Sequence, residues 1–165
     1  MPIIEPEVLM SGAHTLDDCF SITENVLHTV FQQLYNQKVV VEGIILKPNM
    51  IVPGLKCTIQ ESVDEVADAT VACLLRSVPA AVPGIAFLSG GQSAELASAR
   101  LNAMNVRYKD NLPWELSFSF ARAIQQPALE IWDGKEENTA QAQQMLQYRA
   151  DCNRDARNGT YHETL

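Results

Sequence analysis

Nothing in this chain reads as a membrane-spanning segment. A transmembrane helix needs roughly 18 or more consecutive apolar residues, and no run here approaches that length. The opening Met1-Pro2-Ile3-Ile4-Glu5-Pro6 lacks a basic n-region and a long apolar h-region, so it does not read as a secretory signal. Basic residues are scarce: 12 Lys and Arg against 20 Asp and Glu give a net charge of −8. Nucleic-acid binding requires cations that replace phosphate counterions, so this balance argues against it. The same balance argues against anionic membrane surfaces. A small anion is not excluded, because a few local donors suffice to hold one. The four cysteines (Cys19, Cys57, Cys73, Cys152) are far apart and form no CxxC, so we read them as reduced thiols of a cytoplasmic protein. The three histidines (His14, His28, His162) are equally scattered, and no His/Cys pair has zinc-ligand spacing.

The chain does have a regular alternation of strand and helix signals. Its 165 residues, 47% apolar, are enough for one domain with a real core. Ile3-Ile4 is a short first strand, and Leu16 to Tyr35 follows with helix periodicity behind Thr15, a good N-cap. Val39 to Leu46 is nearly continuous and β-branched, as in a parallel strand buried on both faces, and Lys47-Pro48-Asn49 ends it. Ser62-Val63-Asp64-Glu65 is a capping box that opens a second helix, which closes before Pro79 and Pro83. Gly84 to Leu88 is a third strand and Ser93 to Asn105 a third helix. Trp114 to Phe120 is a fourth strand, followed by a helix from Arg122 expected to break or kink near Pro127. A last amphipathic helix runs from about Glu136 to Ala156, with Asn158-Gly159-Thr160 as its stop. This order implies a parallel α/β sheet. A full (β/α)8 barrel needs eight such units and typically ~250 residues. Either a small doubly wound sheet or part of a barrel fits four.

Chemistry in parallel α/β folds sits at the carboxyl ends of the strands. Glu5, Lys47, Ser89-Gly90-Gly91, and Ser119 with Arg122 stand at the four ends. Lys47 directly follows a buried run, where partial desolvation favours the neutral amine that attacks ketones. A lysine there can equally snorkel to solvent. Glu5 is placed to move protons, or is a solvated carboxylate, and Glu7 could serve in its stead. Ser89-Gly90-Gly91 offers backbone N–H groups before a helix start, or is only a tight turn. Ser119 and Arg122 would complete an anion site, since arginine makes charge-assisted bonds to phosphate.

At these residues the chain resembles class I fructose-bisphosphate aldolase. The segments that carry the resemblance are PIIEPE from Pro2, VEGIILKPNM from Val41, FLSGGQS from Phe87, Pro113-Trp114, and SFSFARA from Ser117, collinear from residue 2 to about residue 155. The resemblance implies the C-terminal half, strands five to eight, of a TIM (β/α)8 barrel. Residues 1–165 would form one partial barrel without the four N-terminal β/α units. It implies Lys47 as the Schiff-base lysine and Glu5 as the proton carrier. Ser89, Gly90, Gly91, Ser119 and Arg122 would hold a substrate phosphate. The implied reaction is a lyase step of glycolysis and gluconeogenesis, the reversible cleavage of fructose 1,6-bisphosphate to dihydroxyacetone phosphate and glyceraldehyde 3-phosphate. A protonated imine is itself an electron sink, so no cofactor or metal is implied. A sugar phosphate is the expected ligand, with no nucleic-acid or membrane partner. Family members are usually homo-oligomers, tetramers above all.

The departures set further expectations. Ala121 stands where the family usually has glycine beside the phosphate arginine, and one residue is inserted between Asn105 and Trp114. The family's long tail with its useful tyrosine is absent, and Tyr161 does not match it. An aspartate, two lysines and an arginine of the family's first four strands have no counterpart here. The isolated chain is therefore expected to be an inactive fragment with two open sheet edges. The rival expectation is a non-catalytic half-barrel, a binding or assembly module. Coding sequence for four more β/α units ahead of Met1 would favour the enzyme over that rival.

Overall fold

The computed structural model describes residues 1–162. Two helices open on signals written beside them. Helix α1 (Leu16–Asn36) is capped by Thr15, whose hydroxyl accepts from the Asp18 amide while the Asp18 carboxylate reaches back to Thr15. Helix α2 (Val63–Ser77) repeats the device with Ser62 and Glu65. Strands β1 (Ile3–Ile4), β2 (Ile45–Leu46), β3 (Gly84–Phe87) and β4 (Glu115–Phe118) form one sheet in the order β1-β2-β3-β4. Every pairing is parallel: Ile4 faces Leu46, Leu46 faces Ile85, and Phe87 faces Phe118. Helices α3 (Ala94–Tyr108), α4 (Arg122–Trp132) and α5 (Thr139–Asn158) complete the chain.

The core is a single cluster between sheet and helices. Leu46, Ile85, Phe87 and Leu116 from the strands meet Leu27, Val66, Leu74, Leu101 and Met104 from the helices, all nearly or fully buried. Along β3 and β4 the alternate residues Ala86 and Ser117 stay half-exposed on the other face. β1 and β4 end the sheet on either side.

Three expectations from the sequence are corrected. The β-branched run from Val39 does not enter the sheet until Ile45. Val39 instead closes the end of α1 by donating to Leu34 O (2.9 Å), and Val41–Gly43 forms a 3-10 turn. With Leu46 facing Ile85, Ile44 would face Pro83, which has no N–H to give. Second, of the break or kink expected near Pro127 the break is absent, α4 running continuously from Arg122 to Trp132. Pro127 denies the Ala123 carbonyl its helical donor, a loss this helix tolerates. Third, the last helix begins at Thr139, after a 3-10 turn over Glu136–Asn138, and ends at Gly159 in the left-handed region, φ 75°. The chain then returns to α3, where the Tyr161 amide donates to Asn102 Oδ1 (3.0 Å).

All four cysteines are free. Burial pushes the Cys19 thiol up, and burial with nearby Glu24 pushes Cys73 up to about 12. Among the described residues, no helix is long and apolar enough to cross a membrane.

Candidate active site

Main-chain hydrogen bonds run past the assigned strand ends and set the positions of the candidate groups. Lys47 N–H donates to Ile4 O (2.8 Å), Leu88 N–H to Pro48 O (3.0 Å), and Ser119 N–H to Phe87 O (2.8 Å). The four strand exits are therefore held in one row. Adjacent strands lie about 4.8 Å apart, so the outermost exits are separated by roughly 15 Å.

At the β1–β2 end the structure brings Lys47 and Glu5 together. Lys47 Nζ lies 2.9 Å from Glu5 Oε1; the lysine side chain is 18% exposed and the glutamate 50%. The lysine side chain is thus largely covered, with a carboxylate at hydrogen-bond distance from its amine, close enough for direct proton exchange. Glu7 is exposed and is not the partner.

At the β3–β4 end the structure brings Gly91 and Arg122 together. The turn Ser89–Gln92 is closed by Gln92 N–H donating to Ser89 O (3.0 Å), and Ser89 itself is buried. Gly90 and Gly91 adopt φ of 61° and 97°, conformations that glycine takes without steric cost. A Cβ built on Gly91 would lie 3.6 Å and 3.7 Å from Arg122 Nη1 and Nη2, so the guanidinium lies over this glycine. Met10, from the segment after β1, lies against Gly90. Arg122 is the first residue of α4, whose N-cap, Ala121, provides no side-chain cap. The N–H groups of Arg122 and Ala123, the two glycine amides and the guanidinium are of the kind an anion needs, while Ile124 N–H donates to Ala121 O (3.1 Å). Ala121 keeps a negative φ of −97° and is exposed, so its methyl group strains no backbone. Ser119 is half-buried two residues before it.

Sequence reasoning passed over two amide side chains. Asn49 is 5% exposed and joins three segments. Its Oδ1 accepts from Val8 N–H (3.0 Å), and its Nδ2 donates to Thr23 Oγ1 (3.1 Å) and Met50 O (3.0 Å). It therefore fixes the chain after Lys47 to the chain after Glu5 and to α1. Gln92 is 7% exposed beside the glycines and accepts from Arg100. A signal was present for Asn49: a polar residue leading the apolar run Met50-Ile51-Val52 must find partners if that run is buried.

Known proteins resemble this chain along its whole length. A glycolytic family model, fructose-bisphosphate aldolase class-I, matches residues 1–165. A probable fructose-bisphosphate aldolase class 1 of Xylella fastidiosa is 50% identical over 154 residues, 93% of this chain and 46% of that protein. Fructose-bisphosphate aldolase 6, cytosolic, of Arabidopsis thaliana is 47% identical over 161 residues, 98% of this chain and 44% of that protein. The solved Plasmodium falciparum fructose-bisphosphate aldolase, in complex with TRAP and a small-molecule inhibitor, superposes with a TM-score of 0.94 at 44% identity. That match covers 99% of this chain and 47% of the other. The chain spans about half the length of the relatives it matches, and its four parallel β/α units are about half of a TIM barrel. A match over the whole of its length, together with these relatives, places the chain in the class I fructose-bisphosphate aldolase family.

Proposed function

We propose that this chain carries the imine-forming lysine and one phosphate grip of a class I fructose-bisphosphate aldolase. Residues 1–165 supply β/α units five to eight, and the first four units lie outside these residues. The observation that carries the reading is the 2.9 Å contact between Lys47 Nζ and Glu5 Oε1 at a strand exit, in the same row as the Gly91–Arg122 pair.

In this reading Glu5 takes a proton from the Lys47 ammonium. The freed amine adds to the ketone carbon of fructose 1,6-bisphosphate as Glu5 returns that proton to the ketone oxygen, and Glu5 then takes the next proton that nitrogen sheds. Glu5 returns a proton to the carbinolamine hydroxyl, which leaves as water and gives a protonated imine. The C4 hydroxyl then gives its proton to the Glu5 carboxylate, the C3–C4 bond breaks, and its electron pair flows to the imine nitrogen. Glyceraldehyde 3-phosphate departs and a neutral enamine remains. Protonation at carbon and hydrolysis by water release dihydroxyacetone phosphate and restore the amine. Ser89, Gly90, Gly91, Ser119 and Arg122 hold one phosphate, so that phosphate binding places the ketone against Nζ.

A cytoplasmic enzyme of glycolysis and gluconeogenesis, assembled as a homo-oligomer, is the setting this reading implies. The 165-residue chain alone is expected to turn over little, because β1 and β4 present open edges and the other barrel face has no cover. The test is a completed barrel, this chain joined to the part of the Xylella fastidiosa relative that it does not span. Borohydride reduction with dihydroxyacetone phosphate, read by mass spectrometry, should place the label on Lys47. A label on another lysine, or none in a folded barrel, rejects the reading.

A further inference from the structure

The Ser-Gly-Gly turn is braced from behind by a group that the reaction itself does not use. Gln92 follows Gly91 directly, yet its side chain turns inward. Its Oε1 accepts a 2.8 Å hydrogen bond from Arg100 Nη1, two helical turns along α3. Arg100 is 4% exposed, and its Nε has no partner. Burying a guanidinium is costly unless its donors are satisfied. An apolar residue at this place would serve the helix better, because α3 is already capped by Ser93 and covered through Ala97, Leu101 and Met104. Among the described residues, the side-chain hydrogen bond of Arg100 goes to the turn and not to its own helix.

A second charged group lies near Arg100: Glu61, from the segment between β2 and α2, whose Oε2 is also buried and without a hydrogen bond among the described residues. Burial lowers the Arg100 pKa, and Glu61 works against that shift.

We propose that Arg100 is a positioning residue for the anion-binding turn, holding Gly90 and Gly91 beneath Arg122 through the Gln92 amide. This rests on the reading of the turn as a phosphate grip. Arg100 touches no substrate. Its effect passes through one side-chain amide to two glycines whose positive φ leaves them many alternative conformations once the brace is gone. A phosphate would then have to order the turn on binding, and that cost appears as lost affinity.

The test uses the 165-residue chain, isotope-labelled and titrated with inorganic phosphate while the Gly90 and Gly91 amide resonances are followed. Arg100→Met and Gln92→Leu should each weaken phosphate binding about tenfold. The double variant should be no weaker than either single, because the two act as one unit. Gln92→Glu keeps an acceptor for Arg100 and should stay within about twofold of the parent. A merely structural role would not produce that rescue together with the non-additive pair. Arg100→Met binding within about twofold of the parent, or single losses that multiply in the double variant, would overturn the proposal. Should Arg100→Met not fold, the two Gln92 variants decide: loss in Leu with retention in Glu supports the brace, and any other combination overturns it. Arg122→Ala separates the two failures. If the parent chain shows no phosphate response sensitive to Arg122, the grip itself is wrong and the brace falls with it. If that response is present and ignores Arg100, the brace alone is wrong.

Discussion

The two ends of the sheet solve different problems with different materials. At the β1–β2 end two oppositely charged side chains meet directly, Lys47 and Glu5, and the lysine is mostly buried. At the β3–β4 end the work falls on backbone: two glycines in left-handed conformations and an uncapped helix start, with one exposed arginine over them. The first end is suited to making and breaking bonds, because a proton can pass between atoms at 2.9 Å. The second is suited to holding, because fixed N–H groups lose nothing on reorganisation when an anion arrives. The consequence is that chemistry and grip should be separable by mutation.

The largest effect should come from Lys47→Met in a completed barrel. Borohydride-trapped label with dihydroxyacetone phosphate should vanish, and cleavage should fall by at least ~1000-fold. Phosphate binding at Gly90 and Gly91, read by NMR, should stay within about twofold; a parallel loss would show that the two ends are one unit. Next, Arg122→Ala should weaken a phosphorylated ketone about 100-fold while barely altering trapping of unphosphorylated dihydroxyacetone. Equal losses on both ligands would reject the division. Smaller in consequence, Asn49→Leu should cost about 2 kcal/mol of stability in a denaturant titration, since it strands the Val8 amide and takes a donor from the Thr23 hydroxyl. It should disturb the Lys47 end and spare the Arg122 end.

The smallest effect serves as a control far from both ends. Thr15→Ala should lower Tm by about 3 °C at neutral pH. The Asp18 carboxyl is held below its ordinary value by the Thr15 backbone N–H first and the hydroxyl second. A depressed carboxylate contributes stability that is present above its unfolded pKa of 3.8 and is lost as pH falls through the folded value. The Tm difference between parent and variant should therefore shrink as melts are taken from pH 6 toward pH 3, and a constant difference would assign the cap no charge component.

What the sequence revealed and what it concealed follow from range. Thr15 and Ser62 announced their helices because a capping box closes over three residues. The alternation of elements gave the parallel sheet, and the positions after each strand gave the row of candidates. Val39 to Ile44 misled, because β-branched residues suit a strand but cannot report that Pro83 would face Ile44. Strand position alone left Glu5 and Glu7 open and only the resemblance favoured Glu5; the fold places Lys47 against Glu5. The roles of Asn49 and Gln92 lay in partners 26, 41 and 8 residues away, beyond any local pattern.

The bonds from Lys47 N–H, Leu88 N–H and Ser119 N–H that extend the ladder past its assigned ends are all main-chain bonds. They hold for any anchored residue that keeps its N–H, which excludes only proline. The rim is therefore a mounting rail: reactive groups can be exchanged along it one at a time, with the register of the neighbouring positions unchanged. New specificities should be reachable from this scaffold by substitution at the rail, without any rebuilding beneath it.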